Sequence, residues 1–429
     1  MTALRRDLHA IVRAGIEAAE PGALVMRALA AAPEFAAADR FHVLAAGKAA
    51  AAMAAGAARA LGYRIASGLV VGTKPIEATA PFETIAGGHP LPTDGSARAG
   101  RRALALAASI DASGRLLCLL SGGASALLAA PAPGITLDDK KETTRRMLLA
   151  GADITALNCV RKHLSQIKGG GLALRSAAGC HTLAISDVVG DNVAVIGSGP
   201  GVPDDSRFHD AVEALRRFGG IDAYPDAVRR RLLAGERGEF PETLAPGDAR
   251  AARATASVIG SRMTAMDGAC AAAERLGYRV VRLDDAVIGE ARQAAREYVR
   301  RLAAQTRNLE GPLCVVSSGE TTVRVTGRGK GGRNQEFVLA AAEDVQALGR
   351  DVLLASVGTD GVDGPTDAAG ALVDGSTVER ARRLALDPHT ALDDNDSHTF
   401  FAALGDLVMT GETGTNVGDL QVFLRGRIG

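Results

Sequence analysis

Two cations stand out because each lies at a glycine-rich turn between a strand-like run and a helix-like run. Lys48 directly follows Gly47 in VLAAGKAAAAM, and Arg333 lies in VTGRGKGGRNQEF. Glycine turns at strand ends are common anion sites in α/β proteins, because backbone N–H groups point at the ligand there. A lysine and an arginine at such turns favour a phosphate ligand, and we expect Arg333 to bridge it.

The loop before Arg333 contains Gly327, Gly329 and Gly332, which satisfy G-x-G-x-x-G. Alone, this pattern is a weak indication of a dinucleotide site. The loop also holds several cations, and no acidic residue follows on a strand about 20 residues later. A cationic glycine loop better suits a multiply charged phosphate during transfer.

Another glycine turn, made of Ser121, Gly122 and Gly123, ends the apolar run RLLCLLS and is followed by Ser125. Successive glycines allow N–H groups to converge on an anion. The alternative is a strand-to-helix turn that is merely capped by serine. It is not a Walker loop, because no Gly-Lys-Ser/Thr follows.

A basic segment, NCVRKHLSQIKGGG, places Arg161, Ser165 and Lys168 on one face of a predicted helix, with Lys162 beside them. This helix is expected to end at glycines 169–171. Three glycines in succession indicate a mobile loop or one that contacts a ligand. The alternative is a basic face that contacts only solvent.

Carboxylates follow the next strand-like run, CHTLAIS. Asp187 comes directly after it, Asp191 lies four residues on, and Ser198 begins a Ser-Gly-Pro turn. Hard oxygen donors suit Mg²⁺, and helix capping is the alternative role for both aspartates. We expect Asp187 and Asp191 to bind Mg²⁺ and count Asp187 among the catalytic residues.

Two later turns also carry polar groups. Asp360, Asp363 and Asp367 crowd the segment GTDGVDGPTDAAG, while Thr413 and Asn416 lie in GETGTNVGDL. The spacing is not that of an EF-hand. Three close carboxylates repel one another unless cations or hydrogen-bond donors offset them. Metal binding, ligand binding and capping are all compatible with this pattern.

Composition excludes several classes of protein. The 429 residues include 49 basic and 49 acidic ones, no Trp and 4 Tyr. A zero net charge and few aromatic residues argue against a nucleic-acid partner. No apolar run reaches the ~18 residues of a membrane span. The five scattered cysteines form no CxxC pair, so we expect a cytoplasmic protein with reduced thiols.

Strand-like runs alternate with helix-like segments, which predicts α/β domains with mostly parallel sheets. The chain is too long for one core, and the polar stretch 235–253 is the predicted linker. We expect a doubly wound, Rossmann-like N-terminal domain over 1–240 and a C-terminal α/β domain over 241–429. The last strand, 421–424, is expected to pack onto the first domain.

The sequence resembles the glycerate 2-kinase family, whose members carry a C-terminal MOFRL domain. The resemblance covers nearly the whole chain. The segments that carry it are AAGKAA, GGHPLP, SGGASALL, NxxRKHLSxxKGGGLA, SDVVGD with SGP, GGRNQE, TDGVDGPTDAAGA, NDS with LGDL, and TGTNVGDL. Many long matches in one order make the resemblance specific.

This resemblance implies an ATP- and Mg²⁺-dependent kinase that phosphorylates D-glycerate to 2-phosphoglycerate. It implies two α/β domains with the active site in the cleft between them. The functional lysine and arginine of the family fall on Lys48 and Arg333. The matching motifs add three binding candidates: Asn158, Asn334 and Glu336.

Two other functions are compatible with the sequence. A hydroxypyruvate reductase, a label that some family members carry, needs a nicotinamide site. A non-catalytic sensor of a small carboxylate or nucleotide does not need these cations and carboxylates together. The sequence is compatible with a homo-oligomer but does not indicate one. It also leaves open which hydroxyl is phosphorylated and which glycine turn holds ATP rather than glycerate.

Overall fold

A computed structural model describes residues 2–36, 38–77 and 79–426 of the chain. The chain divides into two units. The first unit is Pro21–Ile259, and the second unit is Met1–Glu20 together with Gly260–Gly429.

The helices and strands alternate along most of the chain. In chain order the helices are α1 (Ala3–Ala18), α2 (Pro21–Ala31), α3 (Pro33–Ala36), α4 (Ala50–Leu61), α5 (Asp94–Ala108), α6 (Ala124–Leu127), α7 (Leu137–Leu149), α8 (Ile154–His163), α9 (Gly171–Arg175), α10 (Phe208–Arg217), α11 (Asp226–Glu236), α12 (Arg262–Arg275), α13 (Ala291–Thr306), α14 (Arg333–Ala347), α15 (Thr377–Arg383), α16 (Pro388–Asp393) and α17 (Ser397–Leu404). The strands are β1 (Phe41–Ala46), β2 (Ile65–Gly72), β3 (Phe82–Ala86), β4 (Arg115–Leu120), β5 (Cys180–Ile185), β6 (Ala254–Gly260), β7 (Arg279–Glu290), β8 (Leu313–Thr322), β9 (Val352–Gly358), β10 (Gly370–Asp374), β11 (Leu407–Val408) and β12 (Asp419–Arg425).

The sheet of the first unit has the strand order β3-β2-β1-β4-β5-β6. The pairs from β3 to β5 are parallel. Strands β1 and β4 are buried along almost their whole length, as expected for apolar runs covered on both faces. Chain order reverses between β1 and β4, and such a switch point is where open α/β sheets bind ligands. The prediction of a doubly wound, mostly parallel α/β fold is confirmed.

The second unit contains a mixed sheet with the order β11-β10-β9-β12-β8-β7. Strands β7 and β8 pair in parallel, and the other described pairs are antiparallel. Alternate residues of β8 are buried in different hydrophobic cores, one on each face of the sheet. Leu313 and Val315 pack with α13 and α14, whereas Cys314 and Val316 pack with α1 and α12.

The last strand does not pack onto the first domain, so that prediction was wrong. Strand β12 lies between β8 and β9 in the second sheet. Its residues Leu420, Val422 and Leu424 are fully buried. Strand β12 pairs with a strand on each side and is covered on both faces, so it is a central strand of the sheet.

The unit boundary also differs from the predicted position between residues 240 and 241. Strand β6 was expected to open the second domain, but it forms an edge of the first sheet. The boundary therefore lies after Ile259, and the predicted linker 235–253 belongs to the first unit. Residues 1–20 join the second unit, because helix α1 packs on α12 and β12 there.

Within the part of the chain that the structure describes, no helix is long and apolar enough to cross a membrane. All five cysteines are free thiols, as predicted.

Helices α1 and α12 pack closely because each presents a glycine to the other. A Cβ on Gly268 would lie 2.6 Å from the carbonyl oxygen of Ala14. A Cβ on Gly15 would lie 2.9 Å from the carbonyl oxygen of Ala265. Both distances are too short for a real contact, so larger side chains would push the helices apart.

We expect Gly268→Val to lower the free energy of unfolding by about 1–3 kcal/mol, because the new side chain overpacks the contact of α1 with α12. The control is Gly247→Val, since no atom lies within 4 Å of a Cβ built there. That variant should change stability by less than about 0.5 kcal/mol. Urea unfolding measures both, and equal effects would contradict the assigned packing.

Candidate active site

Three of the predicted site segments meet at the carboxyl edge of the first sheet. Lys48 follows β1, Ser121 follows β4, and Asp187 follows β5. These strands are neighbours and mutually parallel. Their ends therefore lie at one edge, beside the switch point between β1 and β4.

Backbone contacts hold the Lys48 segment against the turn after β4. The Lys48 N–H donates to the Gly122 carbonyl oxygen at 2.9 Å, and the Ala49 N–H donates to Ser121 Oγ at 3.0 Å. Gly47 has φ +134°, and a Cβ there would overlap Ser121. Lys48 itself is exposed and precedes α4, which begins at Ala50 rather than at the lysine.

The turn of Ser121, Gly122 and Gly123 has the features of an anion site. The N–H groups of Gly122, Gly123 and Ser125 donate to no other described residue. Gly123 has φ +85°, which favours glycine. A Cβ on Gly122 would overlap the Asp187 carboxylate, so glycine is what allows that carboxylate to approach the turn.

His89, in the motif GGHPLP, also belongs to this group, although its role was not predicted. A Cβ on Gly123 would lie 3.0 Å from His89 Cδ2 and 3.6 Å from Lys48 Cγ. Partial burial, and then the charge of Lys48, lower the pKa of His89. Its position shortly after the end of β3, at the same sheet edge, was the signal that could have identified it.

Behind the turn, four predicted site residues form one hydrogen-bond network. Lys168 Nζ donates to Ser125 Oγ at 2.7 Å and to the Ser125 carbonyl oxygen at 2.9 Å. Ser125 Oγ lies 3.0 Å from Ser198 Oγ, which donates to Asn158 Oδ1 at 3.0 Å. Lys168 is only 3% exposed. Lys168, Ser198 and Asn158 thus hold Ser125 in place from inside the protein.

The predicted basic helix is shorter than expected. Helix α8 ends at His163, so Ser165 and Lys168 lie beyond it and do not share its face with Arg161. Lys162 Nζ forms a buried ion pair with Asp204 at 2.7 Å. Arg161 makes no hydrogen bond or ion pair with another described residue.

Contacts with other parts of the first unit surround the three glycines at 169–171. The Gly169 and Gly170 N–H groups donate to the carbonyl oxygens of Ser198 and Gly199. A Cβ on Gly170 would lie 2.5 Å from Leu244 Cβ. Close packing against other parts of the first unit explains these glycines.

The predicted Mg²⁺ ligands, Asp187 and Asp191, are both half-buried. Among the described residues, no three His, Cys, Asp or Glu side chains gather into a metal cage. Proteins usually hold Mg²⁺ through one or two carboxylates together with substrate phosphates and water. A carboxylate beside a turn whose N–H groups have no described partner fits that donor set.

In the second unit, acidic side chains hold Arg333. Its Nε and one Nη donate to Asp419 at 2.8–3.1 Å, and its other Nη donates to Glu320 at 3.1 Å. Burial opposes the charge of Arg333, but Asp419 outweighs it and raises the pKa of the guanidinium. The carboxylate of Asp419 is fully buried. The sequence analysis missed Asp419, although it lies in the motif TGTNVGDL.

The glycine loop before α14 packs against residues 394–397. A Cβ on Gly329 or Gly331 would overlap this segment. The N–H groups of residues 326–330 donate to the side chains of Asp394, Asn395 and Asp396 and to the Asp394 carbonyl oxygen. These five N–H groups are therefore not available to a phosphate.

Three further candidates are buried and contact other residues of the second unit: Gly332, Asn334 and Glu336. A Cβ on Gly332 would overlap Asp363. The Asn334 amide donates to Asp419 at 3.0 Å, and its oxygen accepts from Ser356. The Glu336 carboxylate accepts hydrogen bonds from the side chains of Arg292 and Asn395.

The remaining candidates lie in local turns. The Val362 N–H donates to Asp360 Oδ1 at 3.2 Å, the Thr413 hydroxyl donates to the Thr359 carbonyl at 2.6 Å, and Asn416 Oδ1 accepts from the Gly418 N–H. These are the Asx- and Ser/Thr-turn contacts that such residues commonly make.

Asp363 caps helix α14. Its carboxylate accepts from the N–H groups of Asn334 and Gln335 at 3.0 and 2.9 Å. Burial raises the pKa of Asp363 to about 6 although these donors oppose the shift.

Turn N–H groups without a described partner, a lysine and a carboxylate at the switch point of a doubly wound sheet are features that α/β proteins commonly use to bind small anions. The family described as "Domain of unknown function (DUF4147)" matches residues 7–233, and the MOFRL family matches residues 313–419. D-glycerate 2-kinase of Thermotoga maritima is 38% identical over 346 residues, which are 80% of each chain. Human glycerate kinase is 38% identical over 384 residues, which are 79% of this chain and 72% of the human one.

The solved structure of glycerate kinase from Thermotoga maritima superimposes with a TM-score of 0.88 over 99% of both chains, at 36% identity. A relative in Agrobacterium vitis, 38% identical, carries the provisional name of a hydroxypyruvate reductase. The chain belongs to the glycerate 2-kinase family.

We expect the stability of the wild type to fall relative to Asp363→Asn as the pH rises from about 4 to about 6. Because the pKa of Asp363 is raised in the folded protein, the folded state binds this proton more tightly than the unfolded state does. The slope should not exceed about 1.4 kcal/mol per pH unit. Urea unfolding of both proteins at several pH values measures it, and a constant difference across this window would refute the shift.

Proposed function

We propose that the protein transfers the γ-phosphoryl group of ATP to D-glycerate and releases 2-phosphoglycerate. One observation carries this proposal: Lys48, the unpaired N–H groups of the turn after β4 and the Asp187 carboxylate occupy one sheet edge at the switch point. Membership in the glycerate 2-kinase family supports the same reaction.

Phosphoryl transfer passes through a loose transition state, so the protein acts mainly by positioning and by stabilising charge. In this proposal the Lys48 ammonium neutralises charge on the transferring group, and the turn N–H groups of Gly122 and Gly123 hold an anionic part of a substrate. The Nη group of Arg333 that does not contact Asp419, and that donates to Glu320, adds positive charge. Asp187, with Asp191, holds Mg²⁺, which when bound neutralises the phosphates of the nucleotide.

The alternative reductase needs a site for a nicotinamide dinucleotide. In the sequence, only the G-x-G-x-x-G pattern of Gly327, Gly329 and Gly332 indicated such a dinucleotide site. The N–H groups of residues 326–330 in that loop donate to residues 394–396. They are not available to a pyrophosphate, so this observation favours the kinase over the reductase.

We expect Lys48→Ala to lower turnover of D-glycerate with ATP by about 10³-fold, the lower range for removal of a transition-state cation. Because Lys48 is exposed, the melting temperature should stay unchanged. The control is Lys141→Ala, since Lys141 forms only a surface ion pair with Asp138. Steady-state turnover is measured alongside phosphorus NMR of the product.

The same assay tests Arg333 through Arg333→Lys rather than through alanine. Alanine would leave the buried Asp419 without its partner, which costs about 3–5 kcal/mol and confounds the result. Lysine keeps the charge but cannot form the planar fork, so turnover should fall while the fold persists. Wild-type turnover in either Lys48→Ala or Arg333→Lys would contradict the mechanism.

For the metal, we expect Asp187→Asn to raise the Mg²⁺ concentration needed for half-maximal turnover and to lower the maximal rate. Removing the charge weakens an oxygen ligand for a hard cation. The measurement is a Mg²⁺ titration at saturating ATP and D-glycerate. If Asp187→Asn and wild type showed the same Mg²⁺ dependence, Asp187 would not be the ligand.

A further inference from the structure

Helix α7 buries a lysine that no contact explains. Lys140 is 8% exposed, and its Nζ has no hydrogen-bond partner among the described residues. A buried ammonium without a partner is unfavourable unless it is neutralised or finds an anion.

The groups that face Lys140 are also cations. Burial, and then the charges of Arg161 on α8 and Arg231 on α11, lower the pKa of Lys140 to about 7. Arg231 donates to the His163 carbonyl oxygen and stacks on Phe208 and Phe240. Within the described residues, no carboxylate pairs with Lys140 or Arg161, and the charges of Arg161 and Arg231 oppose protonation of Lys140.

The cationic cluster adjoins the turn after β4. Lys168, whose Nζ contacts Ser125, lies close enough to Arg161 and Lys140 for their charges to lower its pKa, after burial. Arg161 also follows Asn158 by three residues on α8, so both lie on one helix face. Arg161 is half-buried, which leaves part of it accessible to solvent.

We propose that Lys140 and Arg161 form a buried anion site for the carboxylate of the hydroxy-acid substrate. This assignment rests on the proposed kinase function. It adds a binding site for the carboxylate, the group that distinguishes a hydroxy acid from a neutral polyol. A carboxylate accepts both from an arginine fork and from an ammonium, and such charge-assisted hydrogen bonds are about twice as strong as neutral ones. The turn N–H groups then remain available for the phosphates of the nucleotide.

The test uses Lys140→Met, which removes the charge while keeping an unbranched apolar stem, with Lys141→Met as the matched control on the neighbouring position. The KM for D-glycerate should rise about tenfold or more in Lys140→Met, which corresponds to the loss of one charge-assisted hydrogen bond. The KM for ATP should stay within about twofold of wild type in both variants.

A binding measurement without ATP separates this site from the reaction. D-Glycerate should raise the melting temperature of the wild type and of Lys141→Met, but not that of Lys140→Met. Glycerol, which has the hydroxyls but no carboxylate, should leave all three unchanged. Arg161→Gln should lose the same D-glycerate shift, which gives a second variant if Lys140→Met folds poorly.

The outcomes are distinguishable from failure of the kinase proposal. If no substrate is phosphorylated but D-glycerate still raises the melting temperature through Lys140, the anion site stands and the reaction is wrong. If inorganic phosphate rather than D-glycerate gives the Lys140-dependent shift, the site takes a phosphate and the carboxylate assignment is overturned. An unchanged D-glycerate shift in both Lys140→Met and Arg161→Gln also overturns it.

Discussion

The arrangement at the carboxyl edge of the first sheet depends on how closely three chain segments approach one another. A side chain on Gly47 would overlap Ser121, and one on Gly122 would overlap Asp187. The missing Cβ atoms let a lysine segment, a turn and a carboxylate segment meet. The parallel sheet provides the other condition, since neighbouring strands β1, β4 and β5 end at the same edge. Neither condition alone would bring Lys48 near the turn.

Arg333 lies in electrostatic surroundings opposite to those of the pair formed by Arg161 and Lys140. Arg333 is already paired with Asp419 and Glu320, so its orientation is fixed before any ligand binds. Arg161 and Lys140 have no such partners, and their mutual repulsion makes an incoming anion favourable. A fixed arginine suits stabilisation of a transition state, because it needs no reorganisation during the reaction. An unpaired cluster instead suits capture of a ground-state anion.

The fold class was predictable because continuous apolar runs and glycine turns recur at regular intervals. Lys48, the Ser121 turn and Asp187 were also accessible to sequence reasoning, since each follows a strand and parallel strands end together. The position of β12 could not be predicted from the sequence, because the pairing of a last strand depends on contacts with residues far away in the chain. Lys140 was missed for a related reason: a lysine in a charged helix looks solvated until the helices that cover it are known.

Glycine motifs show most clearly that features which depend on distant contacts cannot be predicted from the sequence. The turn at Ser121, Gly122 and Gly123 and the loop from Gly327 to Gly332 look alike in sequence, since both join a strand to a helix. In the turn, the N–H groups of Gly122 and Gly123 have no described partner, whereas in the loop the N–H groups of residues 326–330 donate to Asp394, Asn395 and Asp396. Glycine thus indicates that something approaches the backbone closely. Whether a ligand or another chain segment does so is decided by long-range packing, and only the destination of the N–H groups separates the two cases.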